Sequence, residues 1–139
     1  MARTTFNGPV TSQNGFIDGH QVTASNAINA TATATAAQVA TGYITSTSAA
    51  STAITLPTGT LLGAALSATQ GTVFDLYIDN TAGATAVTVL VATNGIKSDA
   101  AATTAASFGQ STVAFGATGI GRFTLMFSSA TAYVFTRTA

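Results

Sequence analysis

Few side chains in this 139-residue chain could carry acid–base or metal chemistry. Asp18-Gly19-His20 is the one stretch where a carboxylate and the imidazole stand close together. Such a pair could be half of an acid/base relay or part of a weak metal site. No nucleophile or third ligand accompanies it, so a polar turn is the expectation. Asp75, Tyr77 and Asp79 recur at every second position, which puts all three on one face of an extended strand. Two carboxylates could serve hydrolysis or calcium binding. Four residues of strand separate their backbones by about 13 Å, more than the roughly 5–9.5 Å between the carboxyl groups of hydrolytic pairs. Calcium needs roughly six to eight oxygens from a concave loop, and no Asp-rich loop is present. A solvated or subunit-facing strand surface is therefore expected. Gly116-Ala117-Thr118-Gly119-Ile120-Gly121 has the texture of a phosphate cradle. It lacks the following Lys-Ser/Thr and the helix that such chemistry requires, so it reads as a connection between strands. The many Ser and Thr hydroxyls have no His or Lys base beside them.

Composition narrows the classes further. Ala, Thr, Gly and Ser number 29, 28, 13 and 11, while Val, Ile, Leu and Phe number 9, 7, 7 and 8. That apolar share, without high net charge, supports a small folded core. The four cations (Arg3, Lys97, Arg122, Arg137) and four carboxylates (Asp18, Asp75, Asp79, Asp99) give a formal net charge of +0. Four scattered cations cannot neutralise a run of phosphates, so no nucleic-acid partner is expected. Lys97, Arg122 and Arg137 read as rim contacts to a partner, each worth about 0–1 kcal/mol if exposed. Without Cys, disulfides and thiolate zinc sites are excluded. No cofactor is expected, and no enzymatic activity. No apolar run is long enough for a membrane helix, and Met1–Pro9 has no apolar stretch of a secretory signal, so no membrane partner is expected. A charged fraction of 6% with zero net charge suits a surface that is covered in an assembly.

The elements that would position these residues are short strands. Residues 1–30 carry turn signals at Asn7-Gly8-Pro9, Asn14-Gly15 and Asp18-Gly19 with sparse apolar residues, and read as an extended N-terminal arm. Phe6, Val10, Phe16, Ile17 and Val22 are its isolated apolar anchors, candidates for contact with a partner surface or a neighbouring subunit by groove docking or strand addition. A chain starting near Ala30 is expected to fold without the arm. The Ala/Thr alternation of 29–37 reads as a linker or edge strand, and alternation continues over 38–45. Leu61, Leu62 and Leu66 mark one short helix, with Thr60 as N-cap and Gly71 beyond its end. Thr72–Asp79 is the strongest strand, and Ala86–Ala92 is its expected antiparallel partner across Asn80–Gly83. Thr112–Phe115 is a further strand, and Arg122–Phe127 with Thr131–Arg137 forms a hairpin. Alternation assigns Phe74, Leu76, Ile78, Val87, Val89, Phe123, Leu125, Phe127 and Phe135 to one core. The expected fold class is all-β: an antiparallel β-sandwich, jelly-roll-like, over 31–139, with the arm over 1–30.

The opening Phe6-Asn7-Gly8-Pro9-Val10-Thr11-Ser12-Gln13-Asn14-Gly15-Phe16 resembles the N-terminal stretch of small structural proteins of tailed bacteriophages. Ile54-Thr55-Leu56-Pro57, Gly71–Asn80 and the aromatic hairpin Gly121–Arg137 are similar to their β-sandwich domain. The family is that of capsid decoration, or cement, proteins and the related head-fibre proteins. The resemblance implies a virion protein on the outer capsid surface, folded in the host cytoplasm. It further implies a homotrimer that braces neighbouring capsomers, with the major capsid protein and further copies of itself as partners. The alternative is a receptor- or glycan-binding module of a phage fibre, for which Tyr43, Tyr77 and Tyr133 are the only tyrosines.

Overall fold

The computed structural model describes residues 26–97, 112–114, 116 and 119–138. Among these residues two short helices and nine strands enclose one core: β1 (Ala32–Thr33), α1 (Ala36–Ala40), β2 (Tyr43–Thr45), β3 (Thr52–Thr55), α2 (Gly59–Leu66), β4 (Val73–Asp79), β5 (Val87–Leu90), β6 (Gly95–Lys97), β7 (Thr112–Val113), β8 (Ile120–Ser129) and β9 (Ala132–Arg137). One sheet has four strands in the order β1-β3-β5-β7, and the other has five in the order β2-β4-β8-β9-β6. From β1 through β8 each successive strand changes sheet. Strands that neighbour within a sheet are therefore often two apart in sequence and run parallel, as β1 does with β3, β2 with β4 and β3 with β5.

This corrects the expected antiparallel, jelly-roll-like sandwich. Both sheets are mixed, with antiparallel pairs at β4–β8, β5–β7 and β8–β9, and two helices stand among the strands. The expected β4–β5 hairpin does not form. The turn at Asn80–Gly83 is present, with the Gly83 amide donating to Asn80 O at 3.0 Å, but it carries the chain from one sheet to the other. Asn80 fixes that switch. Fully buried, it donates from Nδ2 to Thr85 O at 2.8 Å and Ala114 O at 2.9 Å, while its amide donates to Gly119 O at 2.6 Å. Its side chain thus ties the end of β4 to backbone beside β5 and β7, and its main-chain amide ties it to backbone beside β8.

The Ala/Thr stretch divides into an edge strand and a helix. Thr35 Oγ1 accepts from the Gln38 amide at 3.1 Å, and Gln38 Oε1 accepts from the Thr35 amide at 2.9 Å. This reciprocal cap satisfies two donors and starts α1, ending the alternation that favours strand. The second helix begins one turn signal earlier than expected: Thr58, not Thr60, is its N-cap, and left-handed Ser67 (φ 50°) closes it before Gly71. Gly59 and Gly63 lie one turn apart on the face that meets the β8–β9 turn. A Cβ on Gly63 would sit 1.9 Å from Ala130 O, and one on Gly59 2.2 Å from Thr131 O, so glycine sets how closely α2 approaches.

The core runs through both sheets and both helices. Ile54, Val87, Val89 and Val113 come from the four-stranded sheet, and Leu76, Ile78, Phe123, Leu125, Phe127, Tyr133 and Phe135 from the five-stranded one. Val39 and Leu62 add the helices. Of the residues assigned to the core from alternation, eight are buried and Phe74 is half-buried against them. Phe123 stacks on Phe135 with ring centroids 4.9 Å apart, and Phe127 tilts against Tyr133 at 5.8 Å.

Residues 26–30, which the sequence places in the arm, belong partly to this body. Asn26 and Ile28 are buried, and the Ile28 amide donates to Thr45 O at 2.9 Å along the edge of β2. A chain cut near Ala30 would lose both, so a shortened chain that keeps these contacts begins no later than Asn26.

Candidate functional site

Alternation along β4 sends Phe74, Leu76 and Ile78 toward the core and leaves Val73, Asp75, Tyr77 and Asp79 on the outer side of the five-stranded sheet. Register then sets their neighbours. Met126, Thr124, Arg122 and Ile120 of β8 stand opposite Val73, Asp75, Tyr77 and Asp79 respectively. On the other flank Tyr43 of β2 stands beside Tyr77, and Thr45 beside Asp79. Across β9, Val134 continues the row of Val73 and Met126, and Thr136 continues that of Asp75 and Thr124.

The outer face therefore has two characters. At one end Val73 and Met126 are more than half or half exposed, at 59% and 50%, beside half-buried Val134. The centre is polar and aromatic. Asp75 Oδ2 accepts from Arg122 Nε at 3.1 Å and Nη2 at 2.5 Å, and its Oδ1 accepts from Thr124 Oγ1 at 2.7 Å. Asp79 Oδ2 accepts from the Tyr43 hydroxyl at 2.5 Å, and its Oδ1 accepts from Thr81 Oγ1 at 2.7 Å and the Thr81 amide at 2.9 Å. The Arg122 guanidinium lies 6.0 Å from the centroid of the Tyr77 ring, at the outer limit of a cation–π contact.

Both carboxylates are held below the usual carboxylate range. For Asp75 the Thr124 hydrogen bond contributes most, burial opposes it, and the hydrogen bond and charge of Arg122 lower the carboxyl further. For Asp79 the cause is the Tyr43 hydrogen bond and then the two from Thr81. The Tyr43 phenol is correspondingly raised, first by its bond to Asp79. Carboxylates stabilised as anions are poor proton donors near neutral pH, so the pair is suited to binding and not to general acid catalysis.

The other sequence candidates fall elsewhere. Phe6, Val10, Phe16, Ile17, Val22 and the Asp18–His20 pair lie outside the described residues. Among the described residues no three His, Cys, Asp or Glu side chains gather as metal ligands. In the glycine run, Gly119 and Gly121 serve close packing: a Cβ would come within 2.8 Å of the Asn80 backbone at the first and 2.7 Å of Val113 Cγ2 at the second. Arg137 is half-buried and turns toward the other sheet. Its Nη1 donates to Thr112 O in the opposite sheet, and its guanidinium lies 6.0 Å from the Phe123 ring centroid. Tyr133 is buried, donates to Pro57 O at 3.0 Å, and has its phenol pushed up by burial, which removes it from any surface role.

Sequence reasoning placed Asp75, Tyr77 and Asp79 on one face but missed Tyr43, Arg122 and Thr124 beside them, since cross-strand register has no local signal. It also missed Asn26. The Asn26 Nδ2 donates to Gln38 O at 2.9 Å, Thr41 Oγ1 at 2.8 Å and Tyr43 O at 2.7 Å. One side chain thereby fixes the entry point of the chain to α1, β2 and the turn between them. No family model matches this chain, no curated protein matches it, and no solved structure matches it.

Proposed function

We propose that this protein is a structural component of a phage virion that binds the outer capsid surface and reinforces contacts between capsomers. In this reading it is a decoration or cement protein with no enzymatic role, it acts as a homotrimer, and the major capsid protein is its partner. Residues 1–25 are the tether, and the body from Asn26 onward faces outward. The observation that carries the reading is the anchor at Asn26, 7% exposed and bonded to three separate backbone and side-chain acceptors. A tether transmits load to its body only through a fixed junction, and this junction is tied to the edge of the five-stranded sheet. The zero net charge suits dense packing of copies without mutual repulsion.

The test is binding of the purified full chain to capsids that lack it. Saturable cosedimentation is expected, with the bound protein a trimer by native mass spectrometry. Because few charges are involved, attachment should weaken little between low and high salt. No binding to such capsids, or a stable dilute monomer, would contradict the proposal.

A further inference from the structure

The row Tyr43–Tyr77–Arg122 spans three adjacent strands on the exposed face. At a strand spacing of about 4.8 Å it is about 10 Å across, the footprint of two linked sugar rings. Tyr43 and Tyr77 are 37% and 39% exposed, and the Arg122 guanidinium stands over the Tyr77 ring at 6.0 Å. Their surroundings are fixed before any ligand arrives: Asp79 holds the Tyr43 hydroxyl, and Asp75 holds two nitrogens of Arg122. Aromatic surface flanked by ionised acceptors and a guanidinium donor complements a pyranose, which pairs an apolar C–H face with a rim of hydroxyls.

The charges on this face choose among ligand classes. Asp75, Asp79 and Arg122 sum to one net negative charge, which disfavours phosphate and acidic sugars. A protein covering the row would have to strip water from the Asp75–Arg122 ion pair and from the Asp79 carboxylate, a desolvation cost that a hydroxylated ligand avoids. An uncharged sugar can donate hydroxyls to the carboxylates and leave their remaining contacts to bridging water. We infer that the Tyr43–Tyr77–Arg122 row is a binding site for an uncharged oligosaccharide. This does not rest on the capsid reading, because it concerns the isolated protein.

The experiment titrates the full chain with neutral hexasaccharides of glucose, mannose, galactose and N-acetylglucosamine by heteronuclear NMR and calorimetry. At least one should bind, with shifts centred on Tyr43, Tyr77 and Arg122. Tyr77→Ala should weaken binding about tenfold or more, and Tyr43→Phe, which keeps the ring and frees Asp79, should weaken it less. Val73→Thr, at the other end of the same strand, should leave affinity unchanged. Melting curves of each variant establish that it is folded. Absence of binding by all four sugars, or binding that survives Tyr77→Ala in a folded protein, would overturn the assignment. So would a Tyr77→Ala variant that binds no sugar differently but changes oligomeric state, which would make the row a subunit interface.

Discussion

The C-terminal hairpin and the winding that precedes it use similar residues under opposite rules. In β8–β9 the two strands are joined by a short turn at Ala130–Thr131 and pair antiparallel from Phe123–Arg137 to Ser129–Ala132. Pairing between these two strands is local in sequence, although β8 also pairs with β4. In the segment from β1 to β5 each strand crosses to the other sheet, and in-sheet neighbours are parallel and separated by the intervening strand. The hairpin supplies long strands and large side chains, with Phe123, Phe127, Tyr133 and Phe135 all buried. The winding supplies shorter strands with buried aliphatics such as Ile44, Ile54, Leu76 and Ile78, together with caps and polar pins such as Thr35, Asn26 and Asn80. Aromatic contacts dominate the first, and aliphatic packing together with buried polar pins holds the second. Since both line one core, they should unfold together.

The largest expected effect breaks the hairpin side. Phe123 is buried, stacked on Phe135 and covered by Arg137. Phe123→Ala should cost about 3–5 kcal/mol, read as a lower urea midpoint with a single transition by both fluorescence and circular dichroism. Two separated transitions would show that the winding is stable alone. A smaller effect is expected on the other side. Asn80→Ala leaves Thr85 O and Ala114 O without their buried donor, which should cost about 1–3 kcal/mol. An unchanged midpoint would mean that water replaces the amide, and that Asn80 does not hold the sheet switch.

The smallest effect concerns the outer face that both regions share. Asp75 and Asp79 have lowered folded-state values, so the stability they add is fully present above the ordinary carboxylate range. It should fade as pH falls from about 4 through their lowered values, where protonation breaks the bonds to Arg122, Thr124, Tyr43 and Thr81. Both groups are partly exposed, so the effect is modest and reduced by salt. Melting temperatures at pH 7 and pH 3 for the native chain and an Asp75→Asn, Asp79→Asn double variant should differ more for the native chain.

The hairpin was legible because alternation and turn chemistry act within about ten residues, and Phe123, Leu125, Phe127 and Phe135 all point inward as alternation requires. The winding was not, because the same alternation in β4 and β5 fits a hairpin or two different sheets equally well. What decided between them was the burial of Asn80, a residue that turn statistics place in solvent. The start of α1 had a signal, Thr35 three residues before Gln38, hidden within the Ala/Thr alternation. On the outer face, β4 alternation revealed three of the side chains. Tyr43 and Arg122 reach them only through register with strands 34 and 45 residues away.

The claim that residues 1–25 tether an independently folded body is tested most directly by a chain beginning at Ser25. It keeps Asn26, Ile28 and every bond they make to β2 and α1. Its melting temperature should match that of the full chain, and its cosedimentation with capsids lacking the protein should be lost. Full-strength capsid binding by the shortened chain would contradict the account and move attachment to the body itself.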